Sequence, residues 1–422
     1  MKRLRKLDFL SAENDPHSGS FSLILAYKVG YFHSVQKRLL EEILNKTIRK
    51  TKKSILLLGP RQVGKSTLIQ TLKPDMKINL AEEIAYRDHL RDPDLIKRQV
   101  LGLPSGLIFI DEIQRIPSLL NTLQTLMDEH KRYIFVLTGS SARKLKRGQI
   151  NLLPGRLFSF SMFPLTFWEL PGKLEIERVL KVGTLPEVYL HDYGADLLRD
   201  YVGAYLREEI QTEALVRNLD SFSRFLDVAA ESSGQIINYT KLSSDAEIPK
   251  ESLRRFFDIL EDTLLIHRLP GFTQIKGSRK AVQKERIIFF DIGVRNAILG
   301  RQKNQFSDKE KGLLFEQWFI LQIIAWNSYH KKDWKLSYYK DNLNCEVDLL
   351  IETDQKVIAL EIKSSKKGKP EFVKSLELFS SLSKKKVSAF VIFQGKEKEK
   401  WDQISMIPFQ EFLSKIDNYC ST

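Results

Sequence analysis

Between Ser54 and Thr138 the chain alternates short unbroken apolar runs with stretches whose apolar residues recur every three or four positions. Unbroken runs of this length, bounded by turn residues, read as strands buried on both faces, and the intervening pattern is helical. The alternation predicts a strand from Ser54 to Gly59, a helix from Lys65, a strand near Met76 to Leu80 and helical segments through Leu101. A strand from Leu107 to Asp111, a helix from Ser118 to His130 and a strand from Tyr133 to Thr138 come next. Such a succession folds as a parallel sheet covered by helices, so this part of the chain is α/β. Upstream, Ser34 can cap a helix that carries Val35, Leu39, Leu40, Ile43 and Leu44 at helical spacing. Residues 1–33 show neither period and read as an N-terminal arm.

Pro154, Pro164 and Pro171 mark a turn-rich passage, after which the pattern is helical to about residue 265, with Tyr201, Tyr205, Leu206 and Ile210 on one helix. Three short helices, Phe222 to Glu231, Thr240 to Asp245 and Lys250 to Thr263, precede a strand from Leu264 to Leu269. This is the outline of a winged helix-turn-helix, in which Lys250, Arg254 and Arg255 on the third helix would face a DNA groove. A helical lid without DNA contact fits the same pattern. From about Glu285 strands return: Arg286 to Phe290 and Ser337 to Lys340 flank a long helix starting near Gly312, and Glu346 to Glu352, Lys356 to Lys363 and Val387 to Phe393 succeed them. The expected domains are therefore residues 34–170, 171–284 and 285–422.

A chain of 422 residues with 42% hydrophobic content is long enough for several cores. Its longest apolar candidate for a membrane span, Phe21 to Phe32, is interrupted by Lys28. The basic start, Met1 to Lys6, runs into Asp8, Glu13, Asn14, Asp15 and Pro16 rather than an apolar signal core, so a cytoplasmic protein with no membrane partner is expected. Cys345 and Cys420 are too few for a disulfide framework or a zinc site. Lys and Arg number 67 against 53 Asp and Glu, a net charge of +14. That excess favours an acidic partner such as DNA or another nucleic acid, although runs such as Lys384-Lys385-Lys386 also read as solvated faces.

Chemistry first becomes specific at Gly59-Pro60-Arg61-Gln62-Val63-Gly64-Lys65-Ser66-Thr67, which joins a predicted strand to a predicted helix with the spacing GxxxxGK[ST]. In such a loop the backbone amides wrap phosphates, and glycines at 59 and 64 permit the tight path. Lys65 would neutralise the β- and γ-phosphates, and the Ser66 hydroxyl would coordinate Mg²⁺. The run Leu107 to Ile110 ends in Asp111-Glu112, two carboxylates at the end of a strand where such sheets bind ligand. Asp111 would hold the Mg²⁺ shell and Glu112 would polarise the attacking water. A third strand ends in Thr138-Gly139-Ser140-Ser141. A hydroxyl of Thr138, Ser140 or Ser141 could contact the γ-phosphate or the water, and an ordinary turn fits the same residues.

These motifs, together with Ile110 to Gln114 and Leu137 to Ser141, resemble an AAA-type ATPase family of bacteria and archaea whose C-terminal domain has no known function. The resemblance continues through Leu153-Pro154-Gly155-Arg156, Pro164-Leu165, Glu169, Pro186-Glu187, Tyr205-Leu206-Arg207 and Asp291-Ile292-Gly293. Thr184 departs from it, standing where the family usually has a second glycine. The resemblance implies ATP as ligand, ATP hydrolysis, assembly as a homo-oligomer as one option, and for Arg156 the role of γ-phosphate sensor or arginine finger. A structural salt bridge is the other reading of Arg156.

Near the C-terminus, Glu316 lies on the long predicted helix, Asp348 on one predicted strand, and Glu361 and Lys363 two apart on the next, hence on one face. Hard oxygens so gathered would hold a second Mg²⁺ or Mn²⁺ and activate a water against a phosphodiester. The quartet is similar to that of PD-(D/E)XK nucleases, which implies a restriction-endonuclease-like α/β domain. Related domains also serve as binding platforms, so cleavage and protein binding both stand as readings of the C-terminal region.

Overall fold

Strand order decides which residues meet in this protein. The computed structural model describes residues 36–141, 155–206, 219–276 and 279–420. β1 (Ser54–Leu58), β2 (Met76–Asn79), β3 (Gly106–Asp111), β4 (Tyr133–Gly139) and β5 (Leu157–Ser161) form a sheet in the order β2-β3-β4-β1-β5. All four pairings are parallel, and parallel neighbours require long crossovers. Helices Lys65–Thr71, Glu83–Arg91, Leu95–Leu101 and Leu119–Glu129 lie in the connections. The period of two divides the sheet's side chains between two cores. Ile55, Leu57 and Val136 pack with Leu40, Leu44 and Leu68, while Leu56, Ile108, Ile110 and Phe135 pack with Leu119 and Leu123.

Past this sheet come the short helices Ile176–Val182, Pro186–Leu190 and Gly194–Asp200, then Leu219–Glu231, Tyr239–Ala246 and Lys250–Asp262. β6 (Ile266–Leu269) pairs antiparallel with β7 (Arg286–Phe289), and Arg286 also bridges Ile236. The boundary expected between residues 284 and 285 therefore corrects: β7 completes a pair with β6 and does not join the C-terminal sheet. The sequence pattern gives a strand's existence but not its partner. Ser34, Val35, Leu153, Pro154, Arg207, Ile210 and the arm 1–33 lie outside the described residues.

The helix expected near Gly312 begins earlier, at Asp308, because Ser307 and Glu310 close a reciprocal capping box. It runs through His330 and leads into β8 (Lys335–Lys340), β9 (Glu346–Glu352), β10 (Val357–Lys363), β11 (Val387–Phe393), β12 (Glu399–Trp401) and β13 (Ile404–Pro408). These strands form a mixed sheet in the order β12-β13-β11-β10-β9-β8. Leu314, Phe315, Trp318 and Phe319 of the helix pack on Leu349, Leu360 and Ile362 of this sheet. Ala325 and Tyr329, farther along, belong instead to the core around β1.

Arg38 ties the first sheet to the chain segment that leaves β5. It stands immediately before helix Leu39–Thr51 and is buried. Its Nε donates to Glu169 Oε1 at 3.0 Å, Nη1 to the Val63 carbonyl at 2.6 Å and Nη2 to the Phe163 carbonyl at 2.7 Å. Glu169 in turn accepts from the Leu39 and Thr166 amides at 2.8 and 2.9 Å. Both charged side chains are nearly sealed, at 6% and 1% exposure. Removing one partner leaves a buried charge unpaired, so Arg38→Ala and Glu169→Ala should each cost about 3–5 kcal/mol. Urea unfolding of the two single variants and the double variant checks this: the double should cost clearly less than the sum, and additive losses would dissolve the pairing.

Candidate functional site

The loop after β1 is shaped by its glycines and closed by its lysine. A Cβ at Gly59 would lie 2.6 Å from the Met162 carbonyl oxygen, so only glycine fits the approach to β5. Gly64 takes φ 92°, the left-handed conformation that ends the loop and starts helix Lys65–Thr71. Gln62 also has positive φ, at 62°. Pro60 and Val63 are buried, Arg61 is half-buried, and Gln62 and Thr67 are exposed. Lys65 is buried, and its ammonium donates to the carbonyls of Gly59 and Pro60 at 2.7 and 2.9 Å, across the loop it would share with phosphate.

Because β4 lies between β1 and β3, its end reaches both the loop side and the acid pair. Ser66 Oγ donates to Asp111 Oδ2 at 2.6 Å, and Thr138 Oγ1 donates to the other oxygen, Oδ1. Thr138 Oγ1 also accepts from the Glu112 amide at 3.2 Å. Glu112 sits at φ 56°, a strained conformation for a residue with a side chain. Its Oε2 accepts from Ser140 Oγ at 3.2 Å and from Gln114 Nε2, which also donates to Ser140 at 3.0 Å. Lys65, Ser66, Asp111, Glu112, Thr138 and Ser140 thus converge. The donor set suits Mg²⁺: a hydroxyl and a carboxylate, both hard oxygens, already face each other. The sequence left three hydroxyls open after β4; in the structure Thr138 orders Asp111 while Ser140 engages Glu112.

Two residues that hold the site were not singled out for it from the sequence. Gln114 fixes the carboxylate of Glu112, and its Oε1 is buried without a hydrogen-bond partner. Arg38, from upstream of the sheet, grips the Val63 carbonyl inside the loop. Their signals are faint, a lone glutamine after the acid pair and a lone arginine in a helical stretch.

Arg156 requires a correction. It precedes β5, whose first residue pairs with Ser54 at the start of β1, whereas the phosphate loop begins at the other end of β1. Five strand residues separate the two ends, roughly 15 Å at about 3.3 Å per residue. Arg156 forms a two-pronged ion pair with Asp128, at 2.8 and 2.9 Å. At that end of β1 it is no γ-phosphate sensor for its own chain's loop, and the pair with Asp128 is the structural salt bridge that was its other reading.

In the C-terminal sheet Lys363 Nζ lies 2.5 Å from Glu361 Oε1 and 3.8 Å from Asp348 Oδ2. Asp348 also accepts from the Ile362 amide at 2.8 Å. Glu316 accepts from Arg286 at 2.8 Å, and the same guanidinium pairs with Glu346 and lies 4.4 Å from the centre of the Tyr338 ring. Burial, then the neighbouring Asp348, push Glu316 well above the usual carboxylate range and Glu361 up to about 8. Burial opposes the charge on Lys363, but Asp348 and Glu361 outweigh it and hold the ammonium protonated. The expected quartet is therefore gathered, with Arg286 of β7 as an unforeseen fifth member. Among the described residues no group of three or more His, Cys, Asp or Glu is placed to hold a metal ion, and the carboxylates here already have cationic partners. Arg286 and Lys363 supply the positive charge instead. No helix among the described residues is long and apolar enough to cross a membrane.

Comparison with known proteins divides the chain similarly. Residues 51–171 match the family described as an AAA domain, and residues 173–305 and 311–412 match two families described as domains of unknown function. An uncharacterized protein of Mycobacterium tuberculosis is 28% identical over 319 residues, covering 73% of this chain and 70% of its own. An uncharacterized protein of Methanocaldococcus jannaschii is 23% identical over 436 aligned residues, covering 90% and 88%. Among solved structures, the Walker-type ATPase PABY2304 of Pyrococcus abyssi aligns at 14% identity and TM-score 0.42, covering 63% of this chain and 96% of its own. The match at residues 51–171 supports an AAA-type ATPase that binds and hydrolyses ATP, with the Mg²⁺ that such a loop uses.

Proposed function

We propose that this chain is a cytoplasmic Mg²⁺-dependent ATPase whose nucleotide state sets the posture of its helical and C-terminal regions during a nucleic-acid transaction. The observation that carries the ATPase half is the linked set Ser66, Asp111, Thr138 and Glu112 beside the phosphate loop. Bound Mg²⁺ would supply charge neutralisation at the phosphates. The chain's own groups do the rest. Loop amides and Lys65 would bind the phosphates, and Ser66 and Asp111 would hold the metal. Thr138 fixes Asp111, and Glu112 takes the proton of the attacking water once Gln114 and Ser140 yield its carboxylate.

Coupling has a physical carrier in helix Asp308–His330. Tyr329 accepts at its hydroxyl from the Phe163 amide, at 3.1 Å, and Phe163 is itself held by Arg38. Thirteen residues earlier the same helix bears Glu316, paired to Arg286. A nucleic-acid role is supported by the net charge of +14 and by the three helices that precede an antiparallel pair, which we read as a winged helix, with Lys250, Arg254 and Arg255 exposed. A second reading, an ATP-dependent scaffold whose C-terminal domain binds protein, is favoured by the ion-paired state of Glu316, Asp348, Glu361 and Lys363. The PD-(D/E)XK likeness then describes a platform without cleavage.

Lys65→Ala or Asp111→Ala should abolish measurable ATP turnover, and wild-type turnover in either would remove the proposal. Glu112→Gln should retain ATP binding while turnover falls by about 10²-fold or more; lost binding would make Glu112 structural. Added DNA or RNA should change the turnover rate, with an effect that fades steeply as salt rises. Turnover indifferent to every nucleic acid tested would leave the scaffold reading. Plasmid incubated with Mg²⁺ or Mn²⁺ should stay intact; cleavage that disappears in Asp348→Ala would restore the nuclease reading.

A further inference from the structure

Arg38 reaches into the phosphate loop at the Val63 carbonyl oxygen, 2.6 Å from Nη1. The Val63–Gly64 peptide is trans, so its C=O and N–H point in opposite directions. A guanidinium that holds the Val63 oxygen therefore turns the Gly64 N–H away from itself. The next peptide unit is anchored too, because the Gly64 carbonyl accepts from the Leu68 amide at 2.9 Å. Between these two anchors the Gly64 N–H donates to no group among the described residues. Arg38 Nη1 lies 3.4 Å from the place a Cβ on Gly64 would take, so the guanidinium backs onto this residue as well.

The plain account of Arg38 is a structural tie between the start of helix Leu39–Thr51 and the exit of the sheet. That tie is complete without the loop: Glu169 accepts from Arg38 Nε and the Leu39 amide, and Nη2 holds the Phe163 carbonyl. The bond to Val63 is additional, and it is charge-assisted and sealed from water, with Arg38 at 5% and Val63 at 0% exposure. A charged donor on a buried carbonyl polarises the whole peptide, which makes the N–H on its far side a better donor. In loops of this spacing, backbone N–H groups cradle the phosphates.

We infer that Arg38 is a positioning residue for the nucleotide: acting through the Val63–Gly64 peptide, it holds the Gly64 N–H in place for the β-phosphate of ADP or ATP. The inference rests on the ATPase reading proposed above. Because substrate and product both carry a β-phosphate, the contribution is to affinity and not to the chemical step. Glu169 has a separate task, to balance the buried charge. Stability and nucleotide affinity thus divide between the two members of one ion pair.

Calorimetric titration of the full chain with ADP and with AMP in Mg²⁺, alongside urea unfolding, tests it. Glu169→Gln keeps an acceptor for the Leu39 amide and leaves Arg38 on Val63, so stability should fall while ADP affinity holds. Arg38→Met with Glu169→Gln leaves no buried charge unpaired. That double variant should be more stable than Glu169→Gln alone, yet bind ADP about tenfold or more weakly. Its KM for ATP should rise while kcat holds, and its affinity for AMP, which lacks the β-phosphate, should match the wild type. Arg38→Lys keeps a charge beside Glu169 but lacks the fork that also reaches Val63, and should weaken ADP likewise. A purely structural Arg38 predicts ADP affinity that follows stability through the series, and that order overturns the inference. So does ADP binding of wild-type strength in either Arg38 variant, or an equal loss of AMP. If the wild type binds neither ADP nor ATP, the ATPase reading falls and the inference with it.

Discussion

One buried guanidinium holds the architecture in register. Arg38 satisfies carbonyls on the phosphate loop and on the segment after β5, and its charge is balanced by Glu169. An ammonium could not do this, because four acceptors in three directions require the planar fork of arginine. The loop that would grip phosphate is therefore braced from behind by the same group that fixes the exit of the sheet. Phe163, one of the carbonyls so held, then meets Tyr329 and hence the long helix of the C-terminal half.

Much of the ATPase sheet was legible because its strands are buried on both faces, so each run from Ile55, Ile108 and Phe135 is apolar without interruption. The loop and the acid pair were legible because their chemistry tolerates few residue types at fixed spacing. Strand order was not, since β4 could have flanked either neighbour by hydrophobicity alone. Only with β4 between β1 and β3 does Thr138 meet Asp111. Arg156 shows the converse failure: a suggestive sequence neighbourhood says nothing about which end of a strand the residue occupies.

The C-terminal cluster illustrates a different limit. Alternation along β9 and β10 correctly aligns Asp348, Glu361 and Lys363 on neighbouring strands, and helix Asp308–His330 adds Glu316. No local pattern discloses Arg286, which arrives from a hairpin some thirty residues before Glu316. Its presence changes the electrostatics from a collection of carboxylates awaiting a cation to a nearly neutral ionic knot. Burial is still costly for that knot, as it pushes Glu316 and Glu361 above the usual carboxylate range.

Helix Asp308–His330 spans 23 residues, roughly 35 Å. Its first half packs with the C-terminal sheet and its last turns with the core around β1. Each half of the molecule thus borrows hydrophobic cover from one shared rod. A fragment cut before residue 308 would bare the apolar underside of the first sheet where Ala325 and Tyr329 now sit. The ATPase portion is for that reason not a detachable cassette: recombination that exchanged the C-terminal half for an unrelated module would have to carry this rod along, or repaper the sheet it covers.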